Sequence, residues 1–267
     1  VYNALEIHGD FGNGKTKLSG CGGMAPSIDI LIDQEGTLYC DSSSSGITGT
    51  TRAKSVRIRA GELKVTGNAG ADSADRIEEL ITIDANLTNR TSSGVGGIGY
   101  ISVDANASRN SRLIATSLVR TNNGVAIVRG DGLGATPAAG VANILLTNAP
   151  TLVGGGGGED TANISIIPWA IGSISPGGGA DSFITHASNG LRPLNTSTEY
   201  DAYINGYSGS VTGTDRNVMI PASAQVNFSD SNMVNSIYLA GQAVVTGGTL
   251  TVTSGAIYLA YGSSPTT

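Results

Sequence analysis

Apolar and polar residues alternate in short runs along this chain, and each run is soon broken by Gly, Asn or Ser. Ile28, Ile30 and Ile32 alternate with Asp29, Leu31 and Asp33, the period of a strand with one buried face, and Glu35-Gly36 supplies a turn. Val56 and Ile58 are expected to face inward while Arg57 and Arg59 face outward. Gly61 then turns the chain, and Leu63 and Val65 face inward around Lys64. The pattern predicts strands throughout and negligible α-helix.

The alternation also repeats. I-T-I-D-A-N-L-T at 81–88 returns as I-S-V-D-A-N-A-S at 101–108, and I-Y-L-A at 237–240 returns at 257–260, each after about 20 residues. A fixed period of this length marks a solenoid with one coil per period. Leucine-rich repeats share the length, but their L-x-x-L-x-L-x-x-N frame is absent. The expected fold is therefore all-β, a parallel β-helix with coils of about 20 residues. Ile81 is expected to stack on Ile101, Ile83 on Val103 and Ile237 on Ile257, all facing inward, with Tyr238 and Tyr258 stacked outward one coil apart. Residues 1–267 read as a single elongated β-helix, with N-terminal coils at 1–149 and C-terminal coils at 201–267. Between them, L-V-G-G-G-G-G and the prolines at 150, 168, 176 and 193 predict an irregular excursion near 150–200. Trp169 is expected to pack that excursion onto the coils.

Composition sharpens this picture. Glycine numbers 39, about twice the usual share, while 13% of residues are charged and 5% aromatic. The core must then be Val, Ile, Leu and Ala, and the surface Ser, Thr, Asn and Gly. A net charge of −6 and a pI near 4.8 give no electrostatic case for nucleic acid or anionic lipid. No apolar run reaches the roughly 18 residues of a membrane-spanning helix. The chain opens Val-Tyr-Asn, without an initiator Met or a signal-peptide core, and is expected to be a mature or internal piece of a longer precursor.

Candidate chemistry is sparse. His8 and His186 lie far apart without neighbouring Cys, so no metal site, cofactor site or catalytic frame is expected. Gly9 to Thr16 fits the bare phosphate-loop pattern, but K-L-S-G-C-G-G cannot propagate the helix that must follow. Asp84 and Asp104 would stack in adjacent coils, as would Asn86 and Asn106 in an amide ladder. Arg52, Lys54, Arg57, Arg59 and Lys64 make a basic stretch best explained as a solvated strand face that discourages edge aggregation. N-x-[ST] sequons occur at Asn86, Asn89, Asn106, Asn163, Asn195 and Asn227.

Three pieces carry a family resemblance: S-L-V-R-T-N-N-G-V-A-I-V-R-G-D-G-L-G at 117–134, A-N-I-L-L-T-N-A-P-T-L-V-G-G-G-G-G at 142–158, and N-I-S-I-I-P-W-A-I-G at 163–172 followed by S-F-I-T-H-A-S-N-G-L-R-P-L at 182–194. They resemble the junction block of bacterial autotransporter-associated β-strand repeat proteins, long secreted or surface chains with passenger-like β-helices. The resemblance implies a right-handed helix, an extracellular or cell-surface location and a structural or adhesive role. In that oxidising setting Cys21 and Cys40, about one coil apart, are expected to form a disulfide. The regular last coil, Thr249 to Tyr261, and the strand-like Leu5 and Ile7 leave open cross-sections. End-to-end continuation is therefore expected, as a longer parent chain or a homopolymer, with surface glycans as the other candidate partner. The alternatives are a carbohydrate-binding module or a pectate-lyase-like polysaccharide-degrading enzyme, for which Asp84, Asp104, Arg57 and Arg59 are the available residues.

Overall fold

The computed structural model describes residues 4–8, 15–19, 27–33, 36–43, 50–86, 97–211 and 213–260. These residues form strands and turns, with no helix among them. The chain divides into two compact units. The first comprises Val1–Pro150, Trp169–Ala180 and His186–Pro193, and the second comprises Thr151–Pro168, Asp181–Thr185 and Leu194–Thr267.

The strands up to residue 104 are β1 (Ala4–His8), β2 (Lys15–Ser19), β3 (Asp29–Asp33), β4 (Thr37–Asp41), β5 (Thr51–Ala53), β6 (Ser55–Arg59), β7 (Glu62–Thr66), β8 (Ser73–Asp84) and β9 (Ile98–Asp104). Then follow β10 (Ser111–Thr121), β11 (Val125–Gly130), β12 (Ala142–Leu146), β13 (Ile167–Ser173), β14 (Ser182–Ala187) and β15 (Gly190–Pro193). One sheet runs β1-β3-β6-β8-β10-β12, with β5 also on β8, and a second runs β2-β4-β7-β9-β11-β13. Every pair along these two paths is parallel. A parallel pair needs a crossover. Here the chain crosses to the opposite sheet between one strand and its neighbour.

The predicted alternation holds for the aliphatic positions but not for every polar one, since Asp33, expected on the outer face, is buried and paired with Arg59. Ile30, Ile32, Val56, Ile58, Leu63 and Val65 are all buried, while Leu31, Arg57 and Lys64 between them are not. Aliphatic rows cross each sheet: Ile30, Val56, Ile81 and Leu118 in the first, and Leu38, Leu63, Ile101 and Val128 in the second. The sheets pack closely, since a Cβ added at Gly99 of β9 would lie 3.0 Å from both Ile58 and Ile83 of the first sheet. Burying each such Ile or Leu contributes about 1.5–3 kcal/mol.

These rows correct the expected stacking of Ile81 on Ile101 and of Ile83 on Val103. Ile81 is registered with Val56 and Leu118, and Ile83 with Ile58 and Arg120, whereas Ile101 and Val103 belong to the other sheet. The offset of about 20 residues steps from one sheet to the other and does not close a coil. Return distances in this unit are longer and uneven: Arg59 meets Asp33 at a separation of 26 residues, and Asn110 meets Asp72 at 38.

Tight corners make the crossing possible. Between β6 and β7, Ala60 adopts φ 55°, and a Cβ on the following Gly61 would sit 2.7 Å from the Gly36 carbonyl oxygen. Between β10 and β11, Asn122 and Asn123 take φ 50° and 60°, the left-handed region that Asn tolerates. One polar group is enclosed completely: Arg52 Nε donates to Asp75 Oδ1 at 2.6 Å, both side chains fully buried, and Ser42 bonds to both.

In the second unit, β16 (Asp201–Ala202), β17 (Ser208–Gly209), β18 (Asn217–Ile220), β19 (Gln225–Ala240) and β20 (Val244–Ala260) form a parallel sheet in the order β16-β18-β19-β17, with β20 on β19. Its core is Val218, Ile220, Val226, Phe228, Val234 and Ile237. Here the expected period does hold, with Ser236 reaching Asn217 at 19 residues and Thr246 reaching Val226 at 20. Ile237 is registered with Ile257 and Tyr238 with Tyr258. The tyrosine rings stack 5.1 Å apart at 12°. Ile237 is buried but Ile257 is 60% exposed, because β20 has no strand on its other side among the described residues.

Strand pairing also continues inside the segment expected to be irregular. Ala126 and Ile127 of β11 are registered with Ala170 and Ile171 of β13, where Trp169 is half-buried. Gly154 and Gly156, with φ 144° and 70°, mark the irregular part.

Candidate functional site

The polar face of the second sheet gathers most of the chemistry in the first unit. Leu38, Leu63, Ile101 and Val128 point into the core, so their neighbours at alternate positions must lie on the opposite face. Register then aligns those neighbours in rows across the strands. One row is Thr37, Glu62, Tyr100 and Ile127. The next is Tyr39, Lys64, Ser102 and Arg129, and beyond it come Asp41, Thr66 and Asp104.

Hydrogen bonds tie the rows together. Ser102 Oγ donates to Glu62 Oε1 at 2.6 Å, and Arg129 reaches the same oxygen at 3.0 Å. Arg129 also donates to Ser102 Oγ at 3.1 Å and to the Gly178 carbonyl at 3.1 Å, which sets its guanidinium 4.8 Å over the Tyr100 ring. Lys64 Nζ lies 2.8 Å from Asp104. Burial works against the Lys64 charge, but the bond it donates to Asp104 and the nearby carboxylates outweigh it and hold its pKa above the usual lysine value. Thr37, Ala60, Gly61, Glu62, Tyr100 and Arg129 line a cleft of about 300 Å³.

A larger cleft of about 400 Å³ lies on the first sheet, lined among others by Asp29, Lys54, Arg57, Glu79, Leu80 and Thr82. Its two cations each lie near a carboxylate. Lys54 lies 3.8 Å from Glu79, and Arg57 lies 3.5 Å from Asp84. With Arg59 on Asp33 at 2.6 Å, all five cations of the basic stretch hold a carboxylate partner. The expected single solvated face is not formed: Arg52 is fully buried, and Arg57 and Arg59 on β6 stand in the first sheet while Lys64 on β7 stands in the second.

Several expected constellations are not assembled. Asp84 and Asp104 close strands in opposite sheets, Asp84 opposite Thr121 and Asp104 opposite Thr66, so they do not stack. Asp84 is buried, which alone would raise its pKa. Hydrogen bonds from the Asn122 side chain and the Asn86 backbone outweigh this and hold it below the usual carboxylate value. Asn86 and Asn106 form no ladder with each other, since the strands they follow, β8 and β9, belong to different sheets. The amide contacts that do form are Asn110 to Asn143, at 2.9 Å, and Asn235 to Asn217, at 2.8 Å.

Cys40 is buried and free, and burial pushes its thiol up to about 12. The residues registered beside it are Leu18 and Val65. Cys21 itself lies outside the described residues, as does the run from Gly9 to Gly14. Lys15 and Thr16, which follow that run, begin strand β2. His8 stands in β1, and His186 is half-buried, its pKa lowered by that burial. Among the described residues no three His, Cys, Asp or Glu side chains gather as a metal site, and no helix is long and apolar enough to cross a membrane. Of the sequon asparagines, Asn195 and Asn227 are exposed, Asn86, Asn106 and Asn163 are partly buried, and Asn89 lies outside the described residues.

Sequence reading missed Glu62, Tyr100 and Arg129. The signal was present as alternation in E-L-K-V-T, Y-I-S-V-D and A-I-V-R. What it lacked was the register that places the three strands side by side. Compared with protein-family models, curated proteins and solved structures, the chain matches none.

Proposed function

We propose that this chain is a structural or adhesive extracellular β-helical protein, a surface fibre or filament subunit or a passenger segment, wound as a right-handed parallel β-helix. The observation that carries this reading is the parallel pairing of strands that alternate between two sheets around continuous aliphatic rows. A chain wound in this way stabilises length and repetition, which suits a stalk or fibre. The likeness of residues 117–194 to autotransporter-associated repeat proteins supports both the right hand and a place at the bacterial cell surface. The reading assigns no catalytic role. The polysaccharide-cleaving alternative loses its expected constellation, because Asp84 and Asp104 stand in opposite sheets.

Self-association follows from β20. Its outer edge has no strand partner among the described residues, and Val244, Ile257 and Leu259 are 44%, 60% and 69% exposed. An open strand edge with exposed aliphatic side chains pairs readily with a further strand. Sedimentation velocity over a concentration series tests this. The 26.9 kDa chain is expected to form larger species with rising concentration, and Leu259→Lys to shift them back to monomer. A monomer at every concentration would overturn self-association by the chain itself. A carbohydrate-binding role is the second reading, favoured by the cleft beside Tyr100.

A further inference from the structure

We infer that the cleft lined by Thr37, Glu62, Tyr100 and Arg129 is a binding subsite for one hexopyranose unit of a neutral glycan. This goes beyond a structural role and stands whether or not copies of the chain assemble. Sugar recognition needs an aromatic wall against the apolar ring hydrogens and a few fixed polar groups for the hydroxyls. Tyr100 supplies the wall, with the Arg129 guanidinium over one side of its ring. Glu62 supplies the acceptor: its Oε1 is occupied by Ser102 and Arg129, while Oε2 makes no hydrogen bond with a described residue. The Tyr100 hydroxyl and Thr37 Oγ are likewise uncommitted among the described residues and line the same cleft.

These groups are held in place before any ligand arrives. Arg129 spends one N–H on each of Glu62, Ser102 and the Gly178 carbonyl, and a guanidinium has five N–H groups, so further donors remain. Tyr100 and Glu62 are registered on adjacent strands, which fixes their spacing by backbone pairing. Preorganisation of this kind removes much of the ordering cost of binding.

Charge selects the class of sugar. Glu62 and Arg129 neutralise each other at 3.0 Å, and the open oxygen in the cleft belongs to a carboxylate. A uronic acid would bring a second carboxylate against it, whereas neutral hydroxyls donate to it. The larger cleft on the first sheet has no aromatic lining residue, and its cations are already paired.

Isothermal titration of the whole chain with cellohexaose, laminarihexaose, mannohexaose and hexagalacturonate tests the assignment. Saturable binding of at least one neutral hexaose is expected, with hexagalacturonate weaker. Glu62→Gln and Tyr100→Ala should each weaken that binding about tenfold or more, while Lys54→Ala, in the other cleft, leaves it unchanged. Thermal melting of each variant checks folding, and if Tyr100→Ala does not fold, Glu62→Gln carries the test. No saturable binding of any neutral hexaose, tighter binding of hexagalacturonate, or native affinity in Glu62→Gln would each overturn the proposal.

Discussion

Arg52 sits wholly inside the first unit, and its charge is tolerable there because Asp75 and Ser42 bond to it. Removing one partner of a buried pair leaves the other uncompensated, which costs about 3–5 kcal/mol. Arg52→Ala should therefore lower the unfolding free energy in urea by that order, while Arg52→Met with Asp75→Leu recovers most of the loss. Two of the buried aspartates, Asp84 and Asp75, respond oppositely to acid. Asp84 has a lowered pKa, so its contribution is full above the unfolded-state value of about 3.9 and is lost as pH falls through the folded value. Burial raises the pKa of Asp75 despite Arg52, so its contribution is full below the unfolded-state value and is lost as pH rises through its folded value. Melting temperature measured from roughly pH 5 to pH 3 should fall less steeply in Asp84→Asn than in the native chain, and no such flattening is expected in Asp75→Asn. Cys40 gives a third test at this scale. Its thiol should be silent to a disulfide-exchange reagent in the folded chain and react once the unreduced chain is denatured. A Cys21–Cys40 disulfide would leave no thiol to react in either state.

At the scale of the element, much was legible in the sequence, because whether a strand residue faces in or out is a local property. Ile30, Ile32, Val56, Ile58, Leu63 and Val65 are buried as their alternation requires. Partner identity was not legible in the first unit. Register depends on the length of chain between strands, and that length varies, from 22 residues for Lys15 and Thr37 to 44 for Ala126 and Ala170. The second unit has returns of 19 and 20 residues, and there the pairing of Ile237 with Ile257 could be read directly. The candidate site suffered from the same gap. Glu62, Lys64, Tyr100 and Arg129 are ordinary surface positions until register places them in adjacent rows. Corners set that register, and Gly61 is one of the tight ones. A methyl group there would meet Ile32 at 2.6 Å and the Gly36 carbonyl at 2.7 Å. Gly61→Ala should cost about 1–3 kcal/mol through overpacking, visible as a lower urea midpoint with an unchanged slope.

Across the whole molecule, two kinds of face serve different ends. The aliphatic rows hold the sheets together, and the polar rows of the second sheet carry the fixed groups around Tyr100. Low charge content is consistent with this division. The cations of the basic stretch are spent on carboxylates, which leaves little net field to steer an ionic ligand. Both the proposed β-helix and the proposed glycan cleft depend on the same claim, that strands from β6 to β13 alternate between two parallel sheets. Disulfide trapping tests it directly in a Cys21→Ala, Cys40→Ala background. Thr66 and Asp104 are registered neighbours on β7 and β9, whereas Asp84 and Asp104 close strands of opposite sheets. Neighbouring parallel strands lie about 4.8 Å apart, within reach of a disulfide. Thr66→Cys with Asp104→Cys should therefore cross-link under mild oxidation, and Asp84→Cys with Asp104→Cys should not. A cross-link in the second pair and none in the first would contradict the alternation, and with it the rows on which the proposed functions rest.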